Sequence, residues 1–231
     1  MTLFSGAAAE FWLRWFHVFF GILWIGHLYY FNFSQMAFMT EADAATKSVV
    51  FQKLTPRTMF WFRYGALVTF LTGWGMIGHK MGAGALAMAA PSTVFILSGG
   101  LLGTLMFLNV WLIIWPNNKI MIENAERTAR GEPAIPGVAD LAARAAVASR
   151  TNTLFSIPML FFMTSTSHLP MSLSDQKSLI PYWCVFGILA GALELNAVKG
   201  KMGPLQKLKH VIHFGVVLTI VLYLALGLLA G

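Results

Sequence analysis

The sequence contains a single cysteine, Cys184. One cysteine excludes an internal disulfide and a cysteine-rich zinc site, and the C-x-x-C-H motif that attaches c-type haem does not occur in the sequence. A P-loop, a nucleophile elbow and an HExxH motif do not occur either. The sequence therefore offers no motif for nucleotide binding, serine-type hydrolysis or zinc-dependent proteolysis.

Charged residues are also scarce. They make up 11% of the 231 residues, against 57% hydrophobic residues, whereas soluble proteins average about 25% charged and about 45–50% apolar residues. The formal net charge of +7 does not indicate nucleic-acid binding, because the lysines and arginines lie in short loops between apolar runs. This composition predicts an integral membrane protein in contact with the lipid bilayer. We expect no cleavable signal peptide, since residues 1–10 have no basic start.

The apolar runs predict an all-α fold, a polytopic membrane helix bundle that forms one domain over residues 1–231. We expect about six transmembrane helices, over residues 11–33, 57–78, 92–115, 148–167, 179–198 and 208–229. The Pro-Asn-Asn run at 116–118 should end the third helix. Residues 34–56 should include a short surface helix, and the polar residues 119–150 should form two surface helices separated by GEPAIPG.

Basic residues are distributed unequally between the predicted loops. The second and fourth loops hold two, Lys80 and Lys177. The first, third and fifth loops hold twelve: Lys47, Lys53, Arg57, Lys119, Arg127, Arg130, Arg144, Arg150, Lys199, Lys201, Lys207 and Lys209. Because loops rich in Lys and Arg remain in the cytoplasm, both termini are predicted to be periplasmic. The predicted location is the bacterial inner membrane, crossed several times.

Several polar side chains fall within the predicted inner halves of the helices. At about 1.5 Å per residue, His27 and His213 lie at similar depths, roughly 8–12 Å below the interface. They could be the two axial ligands of one b-type haem between the first and last helices, with His210 and Arg63 beside its propionates. In the alternative interpretation, Glu194 pairs with Arg63 or a histidine and simply fastens two helices. The sequence leaves both interpretations open.

A second polar cluster is expected in the outer halves of the helices. His17 lies about ten residues, or roughly 15 Å, from His27, so the two cannot ligate one metal ion. His17, with Arg14 nearby, is a candidate ligand of a metal or cofactor together with His79 or His168. A glycine lies one turn beyond His17. Its small size would let either a flat macrocycle or a neighbouring helix approach closely. The competing interpretation is a tight helix crossing, with His79 and His168 in water.

Three blocks of the sequence are more specific than apolar filler. They are RWFHVFFGILWIGHLYYFNF at 14–33, LLGTLMFLNVWLIIWPNNKIMI at 101–122 and ASRTNTLFSIPMLFFMTSTSHL at 148–169. These blocks resemble the membrane domain of the bacterial cytochrome c-type urate oxidase, or urate hydroxylase, family. The resemblance implies a multi-span domain followed by a periplasmic c-type cytochrome, oxidation of urate, and transfer of electrons toward the respiratory chain. His17 matches the family pattern, whereas His27 stands where a small or apolar residue is expected.

Because the cytochrome motif is missing from this sequence, three functions are open. The first is a membrane cytochrome with b-type haem, which passes electrons to a separate c-type cytochrome or to quinone. The second is a urate-oxidase-like enzyme component, with the substrate near Arg150, Thr151 and Asn152 or near the outer cluster. The third is an accessory subunit of a larger respiratory or membrane-enzyme complex, without its own cofactor. A visible spectrum separates the first function from the other two.

Overall fold

The computed structural model describes residues 6–84, 86–88, 90–174 and 177–231. Within these ranges the chain is helical and contains no β-strand, so the predicted all-α fold is confirmed. The α-helices are α1 (Gly6–Tyr29), α2 (Met36–Glu41), α3 (Ala44–Val49), α4 (Thr55–Gly82), α5 (Pro91–Asn109), α6 (Trp115–Ala129), α7 (Val138–His168), α8 (Ile180–Lys199) and α9 (Leu208–Ala230). The π-helical segments Tyr30–Gln35, Val50–Leu54 and Val110–Ile114 and the 3-10 turn Gly203–Gln206 connect some of them.

Six long helices, α1, α4, α5, α7, α8 and α9, coincide in position with the six predicted ones. In the described part of the chain, three helices are long and apolar enough to cross a membrane: Pro91–Ala129, which joins α5 to α6, Ile180–Lys199 and Leu208–Ala230. This result rests on length and composition alone. It agrees with the prediction that the chain is a membrane protein.

The third long helix does not end at the Pro-Asn-Asn run, and this prediction was wrong. α5 passes through the π-helical segment Val110–Ile114 directly into α6. Proline is tolerated in the first turn of a helix, where its missing N–H would have no partner. The π segment changes the hydrogen-bond register just before Pro116 and so places it at the start of α6. Asn118 donates its Nδ2–H to the Ile114 carbonyl at 2.8 Å, which adds a bond to this turn.

The polar residues after this helix were predicted to form two separate surface helices, and this prediction was wrong. α6 continues α5, and α7 begins at Val138, well before the predicted start. The predicted break at GEPAIPG is confirmed, because residues 130–137 are not helical. Gly131 and Gly137 have φ angles of 78° and 76°, a left-handed conformation that glycine adopts without a steric penalty. Arg150, which the sequence placed both among the basic residues of the third loop and just inside the predicted helix 148–167, lies inside α7.

The linker between α1 and α4 contains two short helices, α2 and α3, where one was expected. Asp43 caps α3, since its carboxylate accepts a hydrogen bond from the Thr46 backbone N–H at 2.7 Å. Hydrogen bonds from Thr46 favour the charged carboxylate and lower the pKa of Asp43. This cap therefore stabilises the start of α3.

α7 is the central helix of the bundle. It packs against α5, α6, α8 and α9, while α1 packs mainly against α4. The core between these helices is built from large side chains with no exposed surface, among them Leu102, Met106, Phe155, Phe162 and Tyr182. Every helix that contacts α7 thereby buries part of its apolar surface, and α1 and α4 form a paired flank.

Large apolar side chains cover the outer faces of α1 and α9. They are Phe11, Trp12, Trp15, Phe16, Val18, Phe19 and Ile22 on α1, and Ile212, Phe214, Val216, Val217, Ile220, Val221, Leu224 and Leu228 on α9. An apolar surface of this extent is unfavourable in water and suited to lipid. The expected contact with the bilayer is compatible with these faces.

Gly215 allows α9 to lie directly on α7. A Cβ atom at this position would lie 2.9 Å from the Leu154 carbonyl oxygen and would also overlap Ile157. The first of these atoms belongs to the backbone, which cannot move aside as a side chain can. Close packing of α7 and α9 therefore depends on a glycine at this position, as in other small-residue helix contacts.

We predict that Gly215→Ala destabilises the protein by about 1–3 kcal/mol, because it overpacks the contact between α7 and α9. Thermal unfolding in detergent measures the effect. Gly187→Ala on α8 is the matched control, since no atom lies within 4 Å of a Cβ placed there and alanine favours helix. Equal unfolding temperatures for the two variants would contradict the observed packing.

Candidate functional site

A network of polar side chains joins α5, α7 and α8 inside the bundle. Asn109 donates both Nδ2 hydrogens, one to Asn152 Oδ1 at 2.9 Å and one to Glu194 Oε2 at 3.0 Å. Asn152 in turn donates its Nδ2–H to the Met106 carbonyl at 2.9 Å. Asn109 and Asn152 are buried, and Glu194 is half-buried. We call these three side chains the amide–carboxylate network.

The local backbone explains why this network forms. Asn109 is the last residue of α5 and adjoins the π-helical segment Val110–Ile114. A π-helical turn displaces side chains from their α-helical directions, and such turns are frequent at functional sites. Asn109 Oδ1 is itself buried and has no hydrogen-bond partner among the described residues. The network thus retains one free acceptor, and an unpaired buried acceptor costs free energy.

Glu194 does not have the role proposed for it from the sequence. It was expected to neutralise Arg63 or a histidine, but it accepts a hydrogen bond from the neutral amide of Asn109. Within the described residues, the ion pairs involve Glu10 and Glu132 as acids, and none involves Glu194. The sequence did not suggest that an amide would be its partner, because hydropathy gives the depth of a residue but not its direction around the helix.

Arg63 stacks on aromatic rings. Its guanidinium carbon lies 3.8 Å from the centre of the Trp115 ring and 4.9 Å from that of Tyr64. Its Nε atom is buried and has no hydrogen-bond partner in the described part of the chain. Such a cation–π contact contributes about 0.5–2 kcal/mol. The stacking holds the guanidinium in place and leaves its N–H donors available.

Arg150 is a second cation without an acidic partner. The residue is 6% exposed, and neither Nε nor Nη1 has a hydrogen-bond partner among the described residues. Arg150 and Asn152 are two positions apart on α7, so their side chains leave the helix on roughly opposite sides. Arg150 therefore does not belong to the amide–carboxylate network.

His17 is held between α1 and α4. Its Nδ1 lies 2.9 Å from the Thr69 carbonyl oxygen, which requires Nδ1 to be the donor. Gly73 leaves room for the ring, since a Cβ there would lie 2.9 Å from His17 Cε1. The other nitrogen, Nε2, then carries the lone pair. This arrangement is found in many metal-bound histidines, but it equally describes a helix contact.

The other predicted histidines are dispersed. His27 Nδ1 donates to the Leu23 carbonyl of its own helix at 2.7 Å, and His210 Nδ1 lies 3.2 Å from the Pro204 carbonyl oxygen. His79, His168 and His213 are exposed. His168 borders a surface groove of about 390 Å³ at the end of α7.

The structure does not join His27 to His213 by any hydrogen bond or ring contact among the described residues, and α9, which carries His213, packs on α7 and α8. No group of three His, Cys, Asp or Glu side chains suited to a metal ion occurs in the described ranges. The predicted haem ligands therefore remain predictions.

Arg14 lies in the N-terminal half of α1, in an exposed ionic group. It forms a salt bridge with Glu10 at 2.7 Å, and Lys80 lies 3.5 Å from the same carboxylate. His79 approaches Gly6 in this region. Exposed pairs of this kind contribute about 0–1 kcal/mol, so this group supports helix pairing more readily than a cofactor.

Two further interhelical hydrogen bonds were not anticipated from the sequence. Ser98 Oγ and Tyr182 OH lie 2.6 Å apart in the core between α5 and α8. Tyr29 OH lies 3.0 Å from Ser156 Oγ, between α1 and α7. Only the folded structure shows that these two point inward.

Comparison with known proteins decides the family. The sequence profile of the urate oxidase N-terminal family matches residues 81–225. The chain belongs to this family. The match includes the amide–carboxylate network and Arg150, while His17, His27 and Arg63 precede it. No curated protein and no solved structure gave a match. Family membership confirms the resemblance seen in the 101–122 and 148–169 blocks.

We predict that Asn152→Leu destabilises this urate oxidase family member by about 1–3 kcal/mol, because the Met106 carbonyl and Asn109 each lose a hydrogen bond in the core. Thermal unfolding in detergent is the measurement. The control is Thr164→Val, whose exposed hydroxyl bonds only to the Leu160 carbonyl of its own helix. An Asn152→Leu protein as stable as the control would show that the network contributes nothing.

Proposed function

We propose that this chain is the membrane component of a urate-oxidising redox system that passes electrons to a separate c-type cytochrome or to quinone. The observation that carries the proposal is the match to the urate oxidase N-terminal family over residues 81–225. The amide–carboxylate network supports it, because interior polar groups are costly in an apolar protein and tend to mark functional sites.

The proposed topology has α1, α4, α5, α7, α8 and α9 crossing the inner membrane of a bacterium, with both termini in the periplasm. The excess of basic residues in the first, third and fifth loops supports this orientation. In it, Arg150 and Glu194 lie toward the cytoplasm, and a periplasmic cytochrome meets the opposite face. Urate would thus be taken from one side, and its electrons would leave on the other.

The chemistry requires an external electron acceptor. Hydroxylation of urate by water forms a new carbon–oxygen bond and releases two protons and two electrons. Two one-electron c-type cytochromes, or one quinone, balance each urate. The 231 residues contain no C-x-x-C-H motif, so the acceptor has to be supplied as a separate molecule in any assay.

We expect membrane vesicles that contain this chain to reduce added c-type cytochrome when urate is present, as followed by the visible absorbance of the cytochrome. Vesicles without the chain, and vesicles given allantoin in place of urate, are the controls. If neither cytochrome nor a soluble quinone is reduced in a urate-dependent manner, the proposal fails. The accessory-subunit function would then be favoured.

A b-type haem is part of this proposal, with His17 as the ligand to test first. Its Nδ1–H bond to the Thr69 carbonyl leaves Nε2 basic, as an iron ligand requires. His27 Nδ1 donates in the same way to the Leu23 carbonyl, but His213 is exposed on α9, which packs on α7 and α8, so this pair is the poorer candidate. When bound, haem supplies one-electron transfer between the substrate and the partner. Among the described residues, His17 would hold the iron from one side, and no residue is assigned to the other side.

We predict Soret and α bands of a b-type haem in the purified protein, abolished by His17→Ala and retained in His213→Ala. Circular dichroism of both variants checks that the helices persist. Bands that survive His17→Ala would move the ligand elsewhere. A colourless wild-type protein would remove haem from the proposal altogether.

A further inference from the structure

Arg150 is the most deeply buried cation in the described part of the chain, and it lacks a counter-charge there. The residue is 6% exposed, and Nε and Nη1 have no hydrogen-bond partner. None of the ion pairs in the described residues includes it. Burial of an unpaired charge costs several kcal/mol. A ligand that accepts hydrogen bonds from these two nitrogens would recover part of that free energy.

The neighbouring contacts show where this guanidinium lies. Leu154 and Ile157 follow Arg150 at four and seven positions along α7, which places the three residues on one helix face. That face meets α9, since Leu154 and Ile157 contact Gly215. α7 also contacts the 3-10 turn Gly203–Gln206. Arg150 therefore lies at the seam between α7 and α9, close to the loop that leads into α9.

This loop is strongly basic. Four exposed lysines surround the turn: Lys199, Lys201, Lys207 and Lys209. Converging positive charge raises the local concentration of anions and speeds their association. Asp and Glu do not occur between Glu194 and the end of the sequence. The positive charge of this loop therefore attracts anions and repels cations near Arg150.

We infer that Arg150 forms the base of a binding site for a small planar organic anion of the urate class, which enters between α9 and the basic loop. The inference rests on the function proposed above. Guanidinium presents parallel N–H donors in one plane, and a urate monoanion presents a ring nitrogen and a carbonyl oxygen as adjacent acceptors. The small exposed fraction of Arg150 suits a flat ring that enters edge-on.

Direct binding of urate to the purified full chain tests this site without any electron acceptor. Isothermal titration in detergent should show that Arg150→Met weakens urate binding by at least about 30-fold, as expected when one partner of a buried charge pair is removed. Arg150→Lys should bind with intermediate affinity, because it keeps the charge but loses the planar donors. Arg144→Gln, an exposed arginine on the same helix, should bind like the wild type.

A second measurement does not depend on any variant folding. Urate should raise the unfolding temperature of the wild-type protein, and hypoxanthine, an uncharged purine, should raise it less. Wild-type affinity in Arg150→Met, or equal stabilisation by the two purines, overturns the inference. So does the absence of urate binding together with a co-purified phospholipid that is lost in Arg150→Met, since the site then belongs to a lipid. Urate binding without urate-dependent cytochrome reduction keeps the site and rejects only the proposed activity.

Discussion

Hydrogen bonding of buried polar side chains on α7 is the constraint that sets the arrangement of this bundle. α7 presents Ser149, Asn152 and Ser156 to its neighbours, and these bond Asn32, Asn109 and Tyr29 respectively. In an apolar environment a polar group that lacks a partner costs several kcal/mol. Apolar contact alone would let the helices rotate or slide, whereas these bonds each specify one partner. α5 and the segment from Tyr29 to Asn32 at the end of α1 are thereby bonded to α7, and Asn109 in turn bonds Glu194 on α8.

The positions of the long helices could be predicted because apolar runs of spanning length leave few alternatives. The predictions were wrong at the polar ends of helices and at Pro116. α6 and the first turns of α7 are polar enough to be mistaken for surface helices, yet they continue membrane-length helices. Pro116 was taken as a helix end, but a π-helical turn before it absorbs the lost hydrogen bond. Neither hydropathy nor residue propensity reveals such a turn.

The sequence predicted which polar residues lie in the interior but not which of them form hydrogen bonds with each other. The sequence singled out Arg63, Asn152, Glu194 and the histidines as interior polar groups, and the structure places most of them inside or at the edge of the bundle. Which of them meet depends on the rotation of each helix. His27 illustrates this, since its donor is satisfied by the Leu23 carbonyl one turn earlier on the same helix. The part of the site that depends on helix rotation required the folded structure.

The choice of partner for Glu194 explains the charge balance of the interior. Had this carboxylate paired with Arg63 or Arg150, only one of the two guanidinium groups would remain without an acid. Glu194 is bonded to Asn109 instead, on the side of α7 away from Arg150. A stacked guanidinium at Arg63 and a buried one at Arg150 remain without acids among the described residues. An excess of fixed positive charge favours the negatively charged form of an acid that binds nearby.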